Sequence, residues 1–102
     1  MRNYKVKIDV DATIEFEESV KWYNEQVERL GDRFERHVKI QINSLKINPN
    51  LYPYKYPQIR CLPLFKYPFN IFFTIDEIEK LVVIRAIFHS SRNPEILFER
   101  IY

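Results

Sequence analysis

Residues 69–88 read FNIFFTIDEIEKLVVIRAIF. Two runs rich in aromatic and β-branched residues, Phe69–Ile75 and Leu81–Phe88, flank the polar break Asp76-Glu77-Ile78-Glu79. Such residues suit a pleated, packed surface, so the pattern predicts two strands and a turn. The second run is apolar except for Arg85, as expected of a strand covered on both faces. Just upstream, Lys66-Tyr67-Pro68 turns the chain, and Ile59–Phe65 reads as a further strand. Its Pro63 points to an edge or a bulge. Residues 49–58 show no period, and prolines at 49, 53 and 57 predict an extended stretch that blocks regular pairing.

Further out the period changes. Ala12, Phe16, Val20, Tyr23, Val27 and Leu30 recur at spacings of three and four, which is one face of a helix. Asp11 is its expected cap, with Glu15, Glu17 and Glu18 near its start. Gly31 is the only glycine, and it reads as the left-handed residue that ends this helix. Asp32 restarts a second helix with the stripe Phe34, Val38, Gln41/Ile42 and Leu45, stopped at Asn48-Pro49-Asn50. Residues 3–10 alternate as a first strand, expected beside the last. Asn93 caps a short final helix, Pro94–Arg100. The expected fold is α+β, in the order β-α-α-β-β-β-α. A helical hairpin lies on a small, mostly antiparallel sheet.

The 102 residues suit one domain, 1–102. The apolar content excludes intrinsic disorder, and the single cysteine, Cys61, excludes a disulfide scaffold. No uncharged apolar run reaches the ~20 residues of a membrane helix. Residues 1–7 lack the apolar core of a signal peptide, so a cytoplasmic protein with no membrane partner is expected. The net charge of +2 hides an uneven distribution. Residues 36–75 hold Arg36, Lys39, Lys46, Lys55, Arg60 and Lys66 and no acid, which predicts a positive surface for an anionic partner.

Few residues stand at catalytic spacing. His37 and His89 have no Cys or acid at metal-ligand spacing, so no metal is expected. A Cys61–His nucleophile pair is equally unsupported, because a free strand cysteine is most often a small buried hydrophobe. With one glycine there is no phosphate-binding loop. Tyr52, Tyr54, Lys55, Tyr56, Arg60, Lys66, Tyr67 and Phe69 interleave cations with aromatics, a pattern that can hold phosphates and stack bases. The same tyrosines can simply pack the proline-rich loop. His89 can shuttle protons and Arg92 can stabilise phosphate charge. Alternatively, Arg92 pairs with a carboxylate of the first helix and His89 completes a hydrogen-bond network.

Taken in order, several pieces resemble one family. They are Ala12, Trp22-Tyr23, Leu30-Gly31-Asp32-Arg33-Phe34, Asn48-Pro49 with Tyr52-Pro53, Ile59-Arg60, Phe65-Lys66-Tyr67-Pro68-Phe69-Asn70-Ile71-Phe72-Phe73, Val83–His89, and Arg92-Asn93-Pro94. Together they resemble the RelE/ParE superfamily, toxins of bacterial type II toxin–antitoxin (plasmid stabilisation) systems. The resemblance covers nearly the whole chain. It implies a growth-inhibiting toxin neutralised by a cognate antitoxin, with no cofactor. Its target is either a protein such as DNA gyrase, in the ParE-like case, or mRNA on the ribosome, in the RelE-like case. A RelE-like member is a metal-independent endoribonuclease, for which Arg60, His89 and Arg92 are the catalytic candidates. Lys55, Arg60, Lys66 and Tyr67 are the binding candidates in either case. The chain departs from the nuclease pattern at Asn70, at Ser90-Ser91, and at Phe98 where a tyrosine is usual; Tyr102 is terminal.

Overall fold

The apolar run around Val83 becomes the second strand from one edge of a five-stranded sheet. The computed structural model describes residues 3–102. Its elements are β1 (Lys5–Ile8), α1 (Val10–Gln26), α2 (Leu30–Ser44), a 3-10 turn (Pro49–Leu51), β2 (Tyr54–Tyr56), β3 (Ile59–Pro63), β4 (Phe69–Asp76), β5 (Leu81–His89) and α3 (Glu95–Ile101). The strand order is β1-β5-β4-β3-β2. β1 runs parallel to β5, from Lys5 opposite Leu81 to Ile8 opposite Ile84, and the other pairs are antiparallel. The α+β class, the helical hairpin and the placement of the first strand beside the last agree with the sequence reading.

The sheet separates two apolar clusters. Phe16, Phe34, Val38 and Leu45 from the helical hairpin pack on Leu62, Ile71, Phe73, Val82 and Ile84. On the other face, Leu97 of α3 packs on Ile59, Phe72, Ala86 and Phe88. β5 is therefore covered on both sides, which is why its sequence does not alternate. Arg85 escapes this burial through a bulge. Phe72 pairs with Ala86 and Phe73 with Ile84, so Arg85 is the extra residue. It donates to Thr74 Oγ1 at 3.1 Å and pairs with Asp9 at 3.0 Å.

Four expectations are corrected. Gly31 does not end the first helix; it lies inside α2 and has no positive φ. α1 stops at Gln26, and Arg29, at φ 65°, is the left-handed residue. Gly31 is required for packing instead: a Cβ there would meet the Val20 carbonyl oxygen at 2.0 Å. Asp32 consequently falls within the first turn of α2 rather than before it. Asn24, reaching across from α1, satisfies that turn, its Oδ1 accepting the Gly31 N–H at 2.7 Å and the Asp32 N–H at 3.3 Å.

Asp11 is likewise no cap. The helix begins at Val10, and Asp9 stands at the capping position with its carboxylate drawn away to Arg85. The proline-rich stretch does pair. Pro53 and Pro57 lie outside Tyr54–Tyr56, and Pro53 contributes only its carbonyl, which accepts the Cys61 N–H at 3.3 Å. Pro63 lies beyond the reach of β2, where its missing N–H costs no ladder bond. No helix among the described residues is long and apolar enough to cross a membrane.

Candidate functional site

α3 covers only part of the sheet face opposite the hairpin. At its N-terminal end a hollow of about 170 Å³ remains, ringed by Lys55, Asn70, His89, Ser90, Arg92 and Pro94 and floored by Phe72 and Phe88. The topology explains this meeting. β2 brings Lys55 in from the sheet edge, β4 starts at Phe69, and β5 ends opposite it at His89. Three sequence candidates, Lys55, His89 and Arg92, therefore share one rim.

The chemistry of that rim is constrained. His89 Nδ1 accepts the Ser91 N–H at 3.1 Å and lies 2.8 Å from the Ser91 hydroxyl, so the ring is oriented by its own turn. Arg92 donates to Glu15 Oε2 at 2.8 Å, and its guanidinium carbon lies 4.3 Å from the Phe88 ring centre. Arg100 grips the same carboxylate with two N–H groups, at 3.0 and 2.7 Å. Glu15, only 12% exposed at its side chain, thus holds two guanidiniums and fastens α3 to α1. The hydrogen bonds to Glu15, with the nearby carboxylate charges, raise the pKa of Arg100 above its ordinary value.

The other candidates lie elsewhere. Arg60 donates to the Tyr52 carbonyl at 2.7 Å and the Asn50 carbonyl at 3.3 Å, and it lies over the Tyr54 ring at 4.1 Å. It clamps the proline-rich loop and does not line the hollow. Tyr67 packs against Phe34, Tyr23 and His37 at the margin of the hairpin core. Lys66 is exposed on the same turn, and its charge adds to burial in lowering the pKa of His37. Cys61 is half-buried; burial raises its thiol pKa and Lys55 partly opposes the rise. Tyr102 donates to the Pro57 carbonyl, at the turn between β2 and β3. Of the six cations of residues 36–75, Lys39 pairs with Glu35, Lys46 sits near β1, and Lys55 lies on β2 at the opposite edge of the sheet.

Glu15 and Arg100 were not legible as site residues. The available signal was Arg92 itself, for which a carboxylate of the first helix was one of the two expected partners.

The backbone resembles those of several solved structures. It superposes on a chain of the chromosomal ParDE TA system from P. aeruginosa with a TM-score of 0.75 and 19% identity, covering 84% of this chain and 95% of that one. The fold is that of the RelE/ParE toxins. The isolated E. coli RelE toxin gives a TM-score of 0.63 at 12% identity, with 97% and 99% of the two chains covered. A toxin–antitoxin complex, RelBE, from Mycobacterium tuberculosis gives 0.60 at 16%, covering 90% and 97%. No family model matches the chain, and no curated protein matches it.

Proposed function

We propose that this chain is the cytoplasmic toxin of a two-protein toxin–antitoxin system, and that it acts in the ParE manner. It binds a protein target such as DNA gyrase and is neutralised by a cognate antitoxin. The observation that carries the choice of mechanism is the state of the arginines. A metal-free nuclease needs free cations over the scissile phosphate and a proton-transferring pair beside it. Here Arg92 is held in an ion pair with Glu15, and Arg60 spends donors on backbone carbonyls.

One observation favours a second reading, a RelE-like ribosome-dependent mRNA endoribonuclease. Lys55, His89 and Ser90 ring a hollow large enough for a phosphate group. Expression of the chain in bacteria separates the two. Under the first reading, growth arrests with a DNA-damage response and altered plasmid supercoiling. Co-expression of the adjacent reading frame restores growth. Cuts in mRNA at the ribosomal A site that vanish in Lys55→Ala and His89→Ala would establish the second reading instead. Normal growth with folded protein would remove both.

A further inference from the structure

α1 and α2 rest on the sheet through Phe16, Phe34 and Val38 and turn their opposite faces outward. Helical spacing puts Val10, Ile14 and Glu18 in the outward row of α1. The outward row of α2 is Arg36, Ile40 and Asn43, with Ile47 just past its end. The aliphatic members are open to water: Val10 is 74% exposed, Ile14 47%, Ile40 60% and Ile47 51%. The two helices meet where Val20 and Asn24 of α1 lie against Gly31 of α2. They run in opposite directions with the same rise per residue, so the start of α1 lies beside the second half of α2. The four aliphatic side chains therefore form one patch across both helices, larger than a scatter of single exposed residues.

The charges beside this patch are sorted by helix. α1 carries Glu17 and Glu18, with Lys21 one turn later, and α2 carries Arg36 and Lys39, all exposed. Lys39 pairs with Glu35 at 3.5 Å. Glu17, Glu18 and Arg36 form no ion pair among the described residues. Such a face is complementary to itself when unlike helices meet. Laying α1 on α1 would bring the two Glu17–Glu18 segments together, which like charges oppose. Laying α1 on α2 sets Ile14 against Ile40 and Glu18 opposite Arg36. A two-fold axis along the groove between the helices makes both contacts twice.

We propose that the outward face of the helical hairpin docks a second copy of this chain, with α1 of each copy antiparallel to α2 of the other. The two hairpins then form a four-helix bundle flanked by the two sheets. Few side chains take part on each copy, so the dimer is a reversible one. Its charge pairs fix which helices meet more than they add affinity.

The test is sedimentation of the full chain from low micromolar to millimolar concentration, with nitrogen-15 spectra recorded over the same range. The average mass should rise from one chain toward two. The amides of Ile14, Glu18, Arg36 and Ile40 should shift with concentration. Ile40→Glu should weaken association at least tenfold and leave the dilute spectrum otherwise unchanged. Glu18→Arg should also weaken it at least tenfold, by setting arginine against arginine at two symmetric places. Glu18→Arg/Arg36→Glu, which restores opposite charges, should recover most of the loss. A chain that stays monomeric at millimolar concentration overturns the proposal, as does a dimer indifferent to Ile40→Glu. Tighter association of Glu18→Arg overturns it too, since that is the mark of α1 lying on α1. None of these outcomes depends on toxicity, so this inference and the toxin reading can fail separately.

Discussion

A single carboxylate decides how the third helix sits. Glu15 takes charge-assisted hydrogen bonds from both Arg92 and Arg100. Replacing it with Gln removes the only carboxylate paired with Arg92 and leaves Arg100 with Asp11 alone, at 3.6 Å. The expected loss is about 1–3 kcal/mol, read as a lower urea midpoint at unchanged m-value; an unchanged midpoint would show that water replaces the carboxylate freely. His37 makes a second residue-scale case. Its Nε2 is buried without a hydrogen-bond partner, its ring rests on Tyr67, and burial together with Lys66 lowers its pKa. Folding therefore favours the neutral ring. The stability it contributes is complete above the ordinary histidine value of about 6.5 and is lost as pH falls toward the lower folded-state value. Between pH 7 and 5, wild type should lose more melting temperature than His37→Gln; parallel curves would rule this out.

The helical hairpin shows how one residue type can carry two different messages. A lone glycine after an apolar stripe ordinarily marks a left-handed helix end. Here the left-handed position falls to Arg29, and Gly31 is used for the close approach of α2 to α1. Gly31→Ala would gain helix propensity of about 1 kcal/mol. It would also drive a methyl into the Val20 carbonyl, a rigid backbone atom. The overpacking should win by about 1–3 kcal/mol, giving a lower denaturation midpoint; a stabilised variant would mean that the hairpin opens without cost. Both hairpin helices were readable because their periodicity reports local burial, the two long strands because aromatic and β-branched runs mark a packed sheet, and the final helix from Asn93 and Pro94. β2 was not, since three residues between prolines carry no period and owe their pairing to β3. The rim of the hollow was half readable for a similar reason. Lys55, His89 and Arg92 announced themselves by type, and the pairing of Arg92 with a carboxylate of the first helix was one of the expectations, whereas the choice of Glu15 and the diversion of Arg60 to backbone carbonyls are set by tertiary distance.

Across the whole molecule, the two faces of the sheet are unequally secured. The hairpin buries a large cluster, while α3 adds a small one centred on Leu97 and depends on the Glu15 pairings. Local opening should therefore begin at α3. Amide exchange at Leu97–Ile101 is expected to be at least tenfold faster than at Ile71 or Ile84. Glu15→Gln should accelerate it further without altering the central strands. Uniform exchange across both faces would show instead that the chain opens only as one unit. The parallel pairing of β1 with β5 has a temporal consequence. At translation rates of about 5–20 residues per second, the first strand emerges roughly 4–15 seconds before the strand it must join exists. Throughout that interval the nascent chain can wind its helices but cannot complete its sheet, and both edges of its first strand lie open to whatever the cell presents.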